Sequence, residues 1–124
     1  MMDSDFAKMN LENANYYGFF AQKDQLIEEL AELIQAMNKY CRTCGNGQST
    51  ELSHYEARHN VIEEIGDVEV MLHQIKYLMG IDEEAIEESK CAKILRTQVR
   101  IEQQTAQTKV FWGLQQEEAK AEVE

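Results

Sequence analysis

The sequence predicts an all-α protein, a helical bundle of three to four long helices completed by homo-oligomerisation. Three observations predict it. Proline is absent from the 124 residues, and glycine is sparse outside one short segment, so little interrupts a helix. Apolar residues recur at three- and four-residue steps through most of the chain. Amphipathic helices this long bury little alone, so further copies, as a dimer or a tetramer, are expected to complete the core.

The elements follow in order. Residues 1–20 mix polar residues with the aromatics Phe6, Tyr16, Tyr17, Phe19 and Phe20. They read as a short helix or ordered arm over a core, with the aromatics packed into it. The first strong helix pattern, "QKDQLIEELAELIQAMNKY", runs over residues 22–40. Leu26, Ile27, Leu30, Leu33, Ile34 and Met37 form its apolar face, and Asp24 caps its start or favours it by charge. "CRTCGNGQST", residues 41–50, is the clear loop. A second helix extends from Glu51 or Tyr55 to Met79, with Gly80 as its stop. Asp82 caps a third, "DEEAIEESKCAKILRTQVRIEQQ". Residues 110–124 read as a tail, frayed at its end. The length fits one domain spanning residues 1–124.

Composition narrows the function. With 44% apolar residues, wholesale disorder is excluded. Lys and Arg number 12 against 23 Asp and Glu, a formal charge of −11. A nucleic-acid polymer or a membrane surface would call for a basic face, so neither is an expected partner. No apolar run approaches the length of a membrane span. The acidic start "MMDSDFAKMN" has no apolar leader, and three cysteines are an odd count. Reduced thiols in a cytoplasmic protein are the expectation.

The stretch "NVIEEIGDVEVML", residues 60–72, reads as core helix, yet Glu64 and Asp67 interrupt it. Ionised carboxylates are costly in a core unless something pairs with them. Residues three apart lie roughly 60° apart around a helix, one turn along. Glu64 and Asp67 are such a pair, and Glu29 and Glu32 are another. In the first helix the apolar stripe centres near Leu30 and Met37, with Glu29 at its edge and Glu32 further round. In the second the stripe runs through Ile65, Val68, Leu72, Ile75 and Met79. Glu64 falls inside it and Asp67 at its border. Glu28, Gln35, Lys39, Glu63 and Glu69 face elsewhere, Glu28 and Glu63 toward solvent. If the two helices pack antiparallel, the four acids converge, and a divalent cation offsets their repulsion. All-oxygen ligation suits Mg²⁺ or Mn²⁺ rather than Zn²⁺.

"EELAE" at 28–32 followed by "EIGD" at 64–67 resembles the EExxE…ExxD signature of the MazG-like, all-α nucleoside triphosphate pyrophosphohydrolases. The flanks "YGFFAQKDQLIEELAELIQAMNKY", "HNVIEEIGDVEVMLHQIKYLMG" and "KILRTQVRI" are similar too, so the resemblance covers roughly residues 17–101, in the style of small, phage-type members. It implies a Mg²⁺-dependent enzyme, Mn²⁺ being a substitute, that cleaves an NTP or dNTP to monophosphate and pyrophosphate. Glu29, Glu32, Glu64 and Asp67 would be the catalytic metal ligands, and the metal would help a water attack the α-phosphorus. Lys93 and Arg96 would contact phosphate or pair with nearby Glu residues. Asn60 would touch substrate, orient a ligand or stand as a surface amide, and Gln22 would help hold the base.

Other features fit this picture less directly. "CRTC" is a CxxC without the second pair of a zinc ribbon, so free thiols are expected. "ELSH" and "EARH" are two Glu-x-x-His runs, but in one short segment, unlike the separate helices of di-iron bundles. Gly66 is expected to leave room for the facing helix or a ligand, and Trp112 to serve the core or a subunit contact. The competing function is a non-catalytic acidic bundle that binds metal or a partner.

Overall fold

The computed structural model describes residues 2–45 and 51–123. Those residues form four helices and no strand: α1 (Ser4–Tyr17), α2 (Phe19–Thr43), α3 (His54–Leu78) and α4 (Glu83–Val123). Internal packing divides the chain into residues 1–81 and residues 82–124. No helix among the described residues is long and apolar enough to cross a membrane.

Local chemistry sets the helix ends. The Asp3 side chain accepts from the Asp5 N–H at 2.8 Å and starts α1. Gly18, at φ 83°, closes α1 and opens α2, a break that the backbone of an L-residue resists. Hence α2 begins three residues before the expected Gln22. Asp24 sits inside α2 as an exposed partner of Lys23, not as its cap. At the far end α2 runs on through Thr43, into the segment read as loop. Residues 46–50 of that loop lie outside the described residues.

Ser53 and Glu56 form a reciprocal capping box at the start of α3. Its end is a Schellman turn: the Gly80 N–H reaches the Tyr77 carbonyl and the Ile81 N–H the Lys76 carbonyl, with Gly80 at φ 65°. Asp82 accepts from the Glu84 N–H at the head of α4. The segment read as a tail is helical from residue 110 to Val123.

In the first unit α2 and α3 pack against each other, and α1 lies chiefly along α3. Contacts at both ends make α2 and α3 antiparallel. Gln22, early in α2, donates to Gln74, late in α3, at 2.6 Å. Thr43, ending α2, meets His54, opening α3, at 3.0 Å. The amide chain continues from Gln74 to Asn10 of α1 at 2.7 Å, and Asn10 donates to the Val70 carbonyl and meets the His73 ring. All three amides are buried and hydrogen-bonded to one another, so they fix how α1, α2 and α3 dock.

Among the described residues the buried apolar ones are few and mostly small: Ala14, Ala36, Ala57, Val68 and Met71. Most of the stripe expected to carry the core of α2 faces outward instead, while Leu26 and Leu33 are half-buried. Ile27, Leu30, Ile34 and Met37 are exposed, Ile34 at 63%. The face of α2 turned to α3 carries Gln22, Gln25, Glu29, Leu33 and Ala36. On α3, Val68, Met71 and Ile75 do turn inward, while Ile65, Leu72 and Met79 are exposed. The aromatics expected in the core do not enter it: Phe6, Tyr16, Tyr17 and Phe20 are exposed, and Phe19 is half-buried.

Gly66 also departs from expectation. It is exposed, and a methyl group added there meets nothing within 4 Å, so it makes no room for a facing helix of the chain. A glycine inside a helix costs about 0.5–1 kcal/mol relative to alanine. Gly66→Ala is therefore expected to stabilise the fold by about that amount. A urea titration should show a higher midpoint with an unchanged slope.

Candidate metal centre

The antiparallel register sets the site. Counting along the seam from the Gln22–Gln74 bond, seven residues on in α2 and seven back in α3, Glu29 comes opposite Asp67. Three further on, Glu32 comes opposite Glu64, and four beyond that Ala36 comes opposite Asn60. Both acid pairs have the same three-residue spacing, so a single register aligns them.

Carboxylate oxygens of Glu29, Glu64 and Asp67 lie within 4.8 Å of one another. Among the described residues this is the one group of acidic, His or Cys side chains gathered closely enough to hold a metal ion. Glu32 stands beside the triad, its carboxyl interacting with those of both Glu29 and Glu64. The Gln25 side chain donates to Glu29 Oε1 at 2.9 Å and steadies that carboxylate. Glu29 Oε2 and Glu64 Oε2 are buried and have no hydrogen-bond partner. A buried polar atom left unpaired is costly, and two on neighbouring acids compound the cost.

The electrostatics carry the same mark. Burial, then the charges of Glu32, Asp67 and Glu29, raise the Glu64 pKa above its ordinary value. Burial raises that of Glu32, with Glu29 and Glu28 adding, while its contact with Glu64 opposes. Burial raises that of Asp67 as well, with the charges of Glu29 and Glu63 adding. No lysine or arginine contributes to any of these shifts. A hard divalent cation fits the donor set: oxygen ligands only, close together, two of them otherwise unsatisfied.

The other candidates fall in different places. Asn60 lines a cavity of about 370 Å³ with Glu32, Gln35, Ala36, Lys39 and Glu64. Gln22 is buried in the amide chain rather than in that cavity. Lys93 and Arg96 are exposed on α4, in the second unit, and neither has an ion-pair partner among the described residues. The Glu-x-x-His runs are occupied elsewhere. Glu56 belongs to the capping box, His59 pairs with Glu63 at 3.1 Å, and His54 meets Thr43 and the Tyr40 ring. Cys41, Cys44 and Cys91 are free and exposed, and Trp112 is exposed on α4.

Sequence reasoning set Gln35 and Lys39 aside with Glu28 as pointing away, yet both line the cavity. The signal was present. Lys39 follows Glu32 by two helical turns, on the side of α2 that also carries Ala36. A helix face centred on Leu30 leaves Lys39 outside it.

A sign follows for pH. Each of the three carboxyls binds its proton more tightly folded than unfolded. Stability from this source is full below the unfolded values, near 4.5 for Glu64 and 3.8 for Asp67, and is lost as pH rises through the raised folded values. In chelator the wild-type protein should melt at higher temperature as pH is lowered from neutral toward that range. Glu64→Gln, neutral throughout, should gain less; scanning calorimetry of both proteins across pH checks it.

No protein-family model, curated protein or solved structure matches the chain.

Proposed function

We propose that the chain is a Mg²⁺-dependent nucleoside triphosphate pyrophosphohydrolase of the MazG-like, all-α class, cleaving an NTP or dNTP to monophosphate and pyrophosphate. One observation carries the reading: Glu29 and Glu64 each keep a buried, unpartnered carboxylate oxygen within a cluster completed by Asp67. Idle surface acids do not need burial, and paired structural acids would have a cation or donor on those atoms. The resemblance of "EELAE" and "EIGD" to the signature of that class supports the reaction type.

Glu29, Glu64 and Asp67, with Glu32 beside them, would hold Mg²⁺. When bound, the ion supplies charge neutralisation for the triphosphate and lowers the pKa of water. The remaining work belongs to the chain. Gln25 fixes the Glu29 carboxylate, so its free oxygen stays directed to the cluster. Glu32 stands outside the tight triad, beside Glu29 and Glu64, so its carboxylate is the one left to accept a proton from an attacking water. The acid side chains also explain how a protein of charge −11 takes a polyanionic substrate: the site needs a cation before the substrate can enter.

The test is hydrolysis of a panel of NTPs and dNTPs, including dUTP, dCTP and oxidised or deaminated bases, with Mg²⁺. Monophosphate and pyrophosphate are expected, and Glu64→Gln should lower the rate at least a hundredfold. Release of single phosphate would replace the reaction class. Mg²⁺ is also expected to raise the melting temperature of the wild type and to do far less for Glu64→Gln. A Mg²⁺-stabilised protein that turns over no nucleotide would instead be the non-catalytic metal-binding bundle.

The reading includes a homo-oligomer. Exposed Ile27, Leu30, Ile34 and Met37 on α2, with Ile62, Ile65, Leu72 and Met79 on α3, are more apolar surface than a monomer of this size normally leaves in water. A second copy of the chain, bearing the same stripes, would cover them. Light scattering should give the mass of a dimer or tetramer, and Ile34→Glu should shift it toward the monomer.

A further inference from the structure

The cavity beside the acids has a composition that the metal does not account for. Glu32 and Glu64 form one end of it. The rest of the lining is Ala36, Gln35, Asn60 and Lys39. Ala36 is buried and small, and it stands opposite Asn60 in the helix register, so the two helices leave space between them at this level. Around that space are three groups that donate hydrogen bonds: the Lys39 ammonium and the amides of Gln35 and Asn60. Lys39 is the only cation in the lining, and among the described residues it has no ion-pair partner. A lysine beside two carboxylates would ordinarily pair with one; here Glu64 keeps a buried oxygen unpartnered.

Lys39 lies two turns beyond Glu32, about 10 Å along the axis of α2. A cation that far from the metal ligands complements negative charge on another part of the same bound molecule. The cavity, about 370 Å³, is within the range of small-molecule sites. In a nucleotide the remaining negative charge is on phosphate. We propose that Lys39, flanked by Gln35 and Asn60, forms an anion subsite for phosphate oxygens of the substrate, on the side of the carboxylates toward the end of α2. This rests on the pyrophosphohydrolase reading, because that reading supplies the polyphosphate.

The subsite binds the substrate and leaves the reacting bond to the carboxylates, so its loss should act on binding. Full-length wild type, Lys39→Met and Lys39→Arg should be compared in two assays with Mg²⁺: nucleotide hydrolysis, and calorimetric binding of inorganic pyrophosphate. Lys39→Met is expected to raise KM and weaken pyrophosphate binding about tenfold or more, with kcat little changed. Lys39→Arg, which keeps the charge, should recover most of both. Lys39 is exposed, so all three proteins should melt alike, which separates the effect from misfolding.

The two ideas fail separately. Normal turnover in Lys39→Met, with unchanged KM and pyrophosphate affinity, overturns the subsite and leaves the enzyme reading standing. No turnover by the wild type, with pyrophosphate bound by it and lost in Lys39→Met, overturns the reaction and keeps the subsite. A wild type that neither turns over nucleotide nor binds pyrophosphate overturns both.

Discussion

Like-charge repulsion at the α2–α3 seam is the constraint around which this fold is arranged. Three carboxylates sit close together with no basic side chain among them, and two of their oxygens are sealed from water without a donor. Left to themselves, helices carrying such groups would rotate or slide to solvate them. Rotation by one residue, about 100°, would be enough. Something else must hold both the rotation and the register.

The holding groups stand at either end of the seam. Toward one end, Gln22, Gln74 and Asn10 join three helices through amide hydrogen bonds that water cannot easily replace. Toward the other, Thr43 and Tyr40 meet His54, just after the capping box of Ser53 and Glu56 fixes where α3 begins. Polar contacts of this kind are directional, so they specify register better than apolar packing does. Ala57, buried and small, lets the helices stay close between these points. The acids are thereby held in a costly arrangement that a cation would relieve, which is a common bargain at functional sites.

Much of this was legible in the sequence. The all-α class came from missing proline and from helical periodicity. The acids came from their three-residue spacing, and Glu64 from its place among Val68, Met71 and Ile75, which do turn inward. The rotation of α2 was not legible. Its apolar residues cluster about Leu30 and Met37, and periodicity alone identifies an apolar face without saying what that face meets. Here the intrachain partner meets the neighbouring face, which carries Glu29, and the apolar one is left outward. The same rotation brings Lys39 and Gln35 to the cavity. Asp24 is no cap for a simpler reason: Gly18 permits a sharp break that lets α2 start early, whereas Asp82 and Gly80 do bound their helices as expected.

An outward apolar stripe is then a consequence of the polar seam. A helix whose seam face carries amides and carboxylates places most of its aliphatic residues on another, as α2 does with Ile27, Leu30 and Ile34 and α3 with Ile62, Ile65 and Leu72. With no large side chain fully buried among the described residues, these helices have little hydrophobic stabilisation to set against the repulsion at the acids. Burial of Ile27, Leu30, Ile34 and Met37 against a second copy would supply it, adjacent to the seam but outside it. Assembly and metal binding would then act on the same two helices from different faces, each making the strained register easier to keep.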